Sequence, residues 1–147
     1  MEDDSIPDRD HVARYCRGGS IRIDGKVSGV AFQLRPGEEY LSVDWLEFLN
    51  QESRESQIAR LRPILERRLK VGAKAQIAVL NVGEAKRAVR SECPDGREVD
   101  FRHKPLKDAP SHSGIFGCAH GEDLISDLLA RIISQTFPAK AVSGVQG

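Results

Sequence analysis

Apolar positions along the chain keep no single period, and each change of period marks an element. Residues 20–23 alternate, Asp24-Gly25 is a two-residue type I′ turn signal, and residues 26–34 continue with Val30, Phe32 and Leu34 on one side, which predicts a β-hairpin. Arg35-Pro36-Gly37-Glu38 then supplies a turn with Pro and Gly at its centre. Beyond it Leu41, Val43 and Trp45 share a side and predict a third antiparallel strand, with Trp45 as a core anchor. Asp44 followed by Glu47 is a variant capping box, so a short helix is expected to run to about Asn50. Ahead of these elements, His11, Arg14 and Tyr15 read as a capped turn with Tyr15 packed on the sheet.

Further along, Ile58, Leu61, Leu65 and Leu69 form one stripe of a helix over 53–70, with Pro63 expected to kink it or mark a second start. Residues 76–82 are a continuous apolar run of strand length, which predicts a central strand covered on both faces. A short helix over 83–90, a turn at Pro94-Asp95-Gly96 and a strand over 98–103 follow. The last helix is expected over 121–137, with Glu122 and Asp123 in its first turn and Leu124, Ile125, Leu128, Leu129, Ile132 and Ile133 as a broad apolar face. Together these predict one α+β domain over residues 10–138. Its mixed, mostly antiparallel sheet has about five strands, with two main amphipathic helices, 53–70 and 121–137, on one face. Residues 1–9 are expected to form a flexible acidic arm and residues 139–147 a flexible tail.

Composition narrows the function classes without choosing among them. The 147 residues carry 22 Lys+Arg against 22 Asp+Glu, so whole-chain charge argues for neither a nucleic-acid nor a membrane protein. Three widely spread cysteines, Cys16, Cys93 and Cys118, form no disulfide framework, and a reducing cytoplasm is the expected setting. The neutral total hides a segregation: residues 1–53 hold six basic and eleven acidic side chains, whereas residues 54–107 hold fourteen and seven. Within the basic segment Lys86, Arg87 and Arg90 gather on one side of a short helix after the central strand. Arg102 and Lys104 are candidate neighbours for binding an anion or a nucleic acid. Asn81-Val82-Gly83-Glu84 lacks the glycines of a phosphate-binding loop, and a solvated helix face explains the same charges.

Histidines concentrate between residues 103 and 120. His103, His112, Cys118 and His120 are ligand types that zinc prefers, but their spacing has no two-ligand knuckle, so neither metal nor cofactor is expected. A catalytic use would take His103 or His112 as base, Asp100 or Asp108 as orienting carboxylate, and Ser111, Ser113 or Cys118 as nucleophile. No nucleophile elbow accompanies them, and Pro110-Ser111-His112-Ser113-Gly114 reads as a turn using its side chains for local backbone hydrogen bonds. The expectation is therefore a binding or accessory module that contacts another macromolecule through a charge-polarised surface. A protein partner ranks ahead of nucleic acid, and no membrane contact is expected. The alternative is a small hydrolase or nuclease, which requires His103, His112 and Asp100 to converge.

Overall fold

The computed structural model describes residues 3–118 and 123–141. Six strands form one antiparallel sheet: β1 (His11–Cys16), β2 (Leu41–Trp45), β3 (Gln76–Asn81), β4 (Asp100–His103), β5 (His112–Phe116) and β6 (Gln135–Pro138), in the order β4-β5-β2-β1-β3-β6. Three helices pack on it: α1 (Arg54–Arg68), α2 (Val82–Glu92) and α3 (Asp123–Arg131). The α+β class stands, with six strands instead of five.

The alternation of side chains along the strands separates two cores. Val12, Val43, Ala78, Leu80, Phe101 and Ile115 face α2 and α3, while Ala13, Ile77 and Val79 face α1. The two long helices therefore cover opposite faces, not one. The reason lies in β3, which is apolar at every position from Ile77 to Leu80 and so needs cover on both sides. From α1 come Ile58, Leu61, Ile64 and Leu65, all buried, each contributing roughly 1.5–3 kcal/mol of transfer free energy. Ser53 caps this helix: its hydroxyl accepts from the Ser56 amide, and the Ser56 hydroxyl accepts from the Ser53 amide. Pro63 neither restarts nor interrupts it. Both Pro63 and Ala59, whose carbonyl loses its helical donor there, lie on the exposed side.

Three strands depart from the sequence reading. β1 occupies the expected amino-terminal turn, because Val12 and Cys16 alternate with Ala13 and Tyr15 across a strand whose core face is interrupted by Arg14. β5 occupies the expected Ser-His-Ser turn. β6 replaces the last turns expected of the final helix, which ends at Arg131. The expected hairpin shrinks to a single bridge, Ile21 with Val27, around Gly25 at φ +87°. Its second arm becomes a 3-10 turn, Gly29–Phe32, that leaves Val30 exposed. The short helix after Asp44 is likewise a single 3-10 turn, Glu47–Leu49.

The segment expected to be an acidic arm runs beside β4 instead: Asp3 and Ile6 donate their amides to His103 and Phe101, and Ile6 is 1% exposed. Ile6 is the apolar anchor that a count of charges overlooks. At the other end Ala139 is buried and donates its amide to Ala75, while residues 142–147 of the expected tail lie outside the described residues.

One irregularity of the sheet positions the site. The β1–β2 ladder holds only Val12 with Trp45 and Ala13 with Asp44. Past Ala13, β1 pairs with β3 alone as far as Cys16, and β2 pairs with β5 alone back to Leu41. The two strands part in the middle of the sheet.

Candidate functional site: an arginine cleft at the parting of two strands

Arg14 is the first side chain beyond the last β1–β2 pair, on the strand face that Val12 and Cys16 share. Its Nε donates to the Ala31 carbonyl and its Nη1 to the Ser42 carbonyl, both at 2.8 Å. In the β2–β5 register the Ser42 carbonyl points toward β1, so a guanidinium donor stands where a backbone amide would have been. Arg14 Nη2 has no hydrogen-bond partner among the described residues. Burial pushes this guanidinium below its ordinary pKa, though arginine stays cationic throughout the working range.

Three more arginines meet Arg14 around a cleft of about 360 Å³ whose lining includes Tyr15, Val30, Glu38, Ser42, Asp44 and Leu65. Arg17 follows β1, where its carbonyl accepts the Ser20 hydroxyl at 2.7 Å and fixes the 3-10 turn at Gly18–Ser20. Arg35 opens a turn closed by its own amide donating to Glu38 Oε1 at 2.7 Å, with Gly37 at φ +88° supplying the left-handed step. Arg68 is the last residue of α1, where a cation suits the helix dipole. None of Arg17, Arg35 and Arg68 forms an ion pair within 4.0 Å among the described residues, and Arg68 Nη1 is buried without a hydrogen bond.

The floor also holds Asp44, 4% exposed, whose Oδ1 accepts the Ser111 hydroxyl at 3.0 Å. Burial pushes its carboxyl above the usual carboxylate range, opposed by the Ser111 hydrogen bond and by the charges of Arg68 and His112. A larger groove of about 760 Å³ lies between the residue 22–29 loop and α3, but two of its cations are already compensated. Arg22 lies 3.9 Å from Asp24, and Arg131 lies 3.4 Å from Glu92. The arginine cleft is the concavity with donors to spare.

The residues considered for catalysis do not converge. His103 stands on the Val43 face, its ring 5.3 Å from Trp45 and 4.8 Å from Phe48, with Nε2 donating to the Pro110 carbonyl at 2.6 Å and Nδ1 buried without a partner among the described residues. His112 pairs with Asp44 on the opposite face, its Nδ1 donating to the Lys104 carbonyl at 2.8 Å, and burial pushes its imidazole below the ordinary value. Asp100 shares the face of His112 but sits opposite Phe116, about 13 Å along the strand at ~3.3 Å per residue. Its carboxylate is taken by Arg102 at 2.7 Å. Ser111 and Ser113 are buried, with their hydroxyls donating to Asp44 and to the Ser111 carbonyl. Cys118 is half-buried and in no disulfide, and His120 lies outside the described residues, among which no three His, Cys, Asp or Glu side chains group as a metal site.

The basic set is dispersed and largely paired. Lys86 meets Asp8 at 3.1 Å, Arg90 meets Glu98 at 3.6 Å and Lys104 meets Asp3 at 3.0 Å, while Arg87 is exposed. Arg102 lies over the Phe116 ring at 4.4 Å, on the sheet face opposite to Phe101 and therefore opposite to α2. The cleft arginines were missed because three of them sit in the acidic first third of the chain, where a count by segment hides them. The signal that could have found them is Arg14 itself: Val12-x-Arg14-x-Cys16 puts a charge on the core face of a strand.

The chain matches no family model, no curated protein and no solved structure.

Proposed function

We propose that the chain is a binding module that docks an anionic group of a protein partner in the arginine cleft. The observation that carries this reading is the convergence of Arg14, Arg17, Arg35 and Arg68 with unspent donors, Arg68 Nη1 above all. A buried guanidinium nitrogen without an acceptor is costly, and an anion seated there removes the cost while gaining charge-assisted hydrogen bonds. Because the whole chain is neutral, the attraction is local to the cleft, not a property of the entire surface.

A protein partner fits the lining better than a nucleic acid. Among the described lining residues Tyr15 is the one aromatic, its hydroxyl accepting from the Gly72 amide at 3.2 Å, and a single ring makes no stacking platform. Cys16, Cys93 and Cys118, none of them in a disulfide, suit a reducing cytoplasm, and no helix among the described residues is long and apolar enough to cross a membrane.

Thermal unfolding in a panel of small anions and an acidic peptide tests the reading. At least one of them should raise the wild-type Tm in proportion to its occupancy, and the triple variant Arg17→Ala, Arg35→Ala, Arg68→Ala should lose that response. A wild type indifferent to the whole panel overturns the reading, as does a triple variant that responds equally.

A further inference from the structure

We propose that the group held in the cleft is a phosphate monoester, chemically the same as hydrogen phosphate, and that Asp44 selects it over sulfate and over a phosphate diester. This deepens the reading of the cleft as an anion site and rests on it.

The residue that decides the matter is the one that looks misplaced. In a cleft of arginine donors, Asp44 is a buried acceptor. Its Oδ1 is committed to Ser111, while Oδ2 makes no hydrogen bond among the described residues. A bare oxyanion brought into the cleft would set its own oxygens against Oδ2. Sulfate and a diester have no proton to offer at neutral pH, so either one would suffer that repulsion. A phosphate monoester has a second pKa near ~6 and readily keeps or regains one proton. Shared between a phosphate oxygen and Oδ2, that proton turns the repulsion into a hydrogen bond. The remaining oxygens then face Arg68, the cleft arginine whose charge acts on Asp44.

Charge and size agree with this. Four guanidiniums against Asp44 and Glu38 leave a surplus of two positive charges, which a phosphate dianion cancels and its protonated form halves. The cleft, at about 360 Å³, is in the range of small-ligand sites, and Tyr15, Val30 and Leu65 offer apolar wall for the organic part of an ester.

Calorimetric titration of the full chain at neutral to mildly basic pH, with inorganic phosphate, sulfate, O-phosphoserine and dimethyl phosphate, tests the proposal. Phosphate and O-phosphoserine should bind, and sulfate and dimethyl phosphate should bind roughly tenfold more weakly or worse, the scale of one lost hydrogen bond. Asp44→Asn, whose amide donates to any oxyanion, should bring sulfate to within about threefold of phosphate. Tighter binding of O-phosphoserine than of phosphate supports the proposal with an esterified ligand; equal binding supports it with the free ion. Sulfate binding as tightly as phosphate to the wild type overturns the selection while leaving the anion site standing. Undiminished discrimination in Asp44→Asn overturns the role of Asp44. Failure of all four anions to bind, together with an unresponsive Tm, overturns the anion site itself. If Asp44→Asn does not fold, the wild-type comparison of sulfate with phosphate decides alone.

Discussion

The Arg14 guanidinium donates to the Ser42 carbonyl at 2.8 Å across the gap where β1 and β2 part, so a side chain replaces a ladder hydrogen bond in mid-sheet. Its Nε holds the Ala31 carbonyl at the same time. Arg14→Met keeps much of the apolar stem and leaves both carbonyls without a donor, an expected loss of about 2–4 kcal/mol. Urea unfolding should report a lower midpoint at unchanged slope. Arg14→Lys should recover less than half of the loss, since an ammonium cannot fork between two acceptors. Stability equal to wild type for Arg14→Met would remove the bridging role.

Gly114 lies directly beneath the Tyr40 ring, where an added Cβ would come within 2.3 Å of Tyr40 Cδ1. The ring is also held against Phe116 at 4.8 Å and near His112 at 6.0 Å. Gly114→Ala must therefore push Tyr40 away from both, at an expected cost of about 1–3 kcal/mol and a visibly lower Tm. The companion Tyr40→Leu, Gly114→Ala should be more stable than Gly114→Ala alone, because the obstructing ring is gone.

Much of the fold could be read from the sequence because its strongest signals are redundant. β3 is uninterrupted apolar sequence bounded by Gln76 and Asn81, and α1 repeats its stripe over four turns behind a serine cap. What escaped the pattern was whatever tertiary contact overrides. β5 is mostly polar or small, His-Ser-Gly, because Ser111 and His112 use their hydrogen bonds on Asp44 and the Lys104 carbonyl, and a ring fills the space above Gly114. β1 was hidden by the arginine that makes the site. Val30 belongs to the apolar side of the expected hairpin and is exposed, because Ser28 caps a 3-10 turn there through the Val30 amide. The cleft was illegible for a topological reason: its arginines come from three separate segments, and only the parting of β1 and β2 brings them together.

Burial holds the Asp44 carboxyl above its ordinary value of 3.8. Between that value and the raised one, the folded protein keeps a proton that the unfolded chain has released, so stability falls as pH rises through this window. The penalty is absent below the window and complete above it. Asp44→Asn retains an acceptor for the Ser111 hydroxyl and has no charge to bury. Its stability relative to wild type should therefore climb across the window and then level off, with the climb moderated by the charges of Arg68 and His112. Urea titrations from about pH 4 to 8 check this; a difference independent of pH would contradict it.

The three thiols should separate by reactivity. Cys16 is fully buried, and burial pushes its pKa up to about 11. Cys93 is 7% exposed, whereas Cys118 is half-buried. Brief alkylation of the native protein in mild base should add one label, on Cys118, and unfolding should release two more. Intact-mass and peptide analysis would read both steps, and early labelling of Cys16 would contradict its burial in the core.

The two sets of cations make opposite predictions for anion binding. Lys86 and Arg90 each have a carboxylate within 3.1 and 3.6 Å, and they stand on α2, on the sheet face away from Arg102. An incoming phosphate would have to displace those partners, with little net gain at an exposed position. Among the described residues the cleft arginines have no such partners to displace, and all four line one concavity. Lys86→Ala, Arg87→Ala, Arg90→Ala should accordingly leave phosphate affinity within about twofold of wild type, whereas Arg68→Ala alone should weaken it by roughly tenfold. Repeating both titrations at several salt concentrations separates a diffuse field from direct contact. Loss of a diffuse field would matter less and less as salt rises, while loss of the Arg68 contact should persist after the screening length has fallen to a few ångströms. An Arg68→Ala protein that binds phosphate normally, beside a helix variant that does not, would move the site from the cleft to α2.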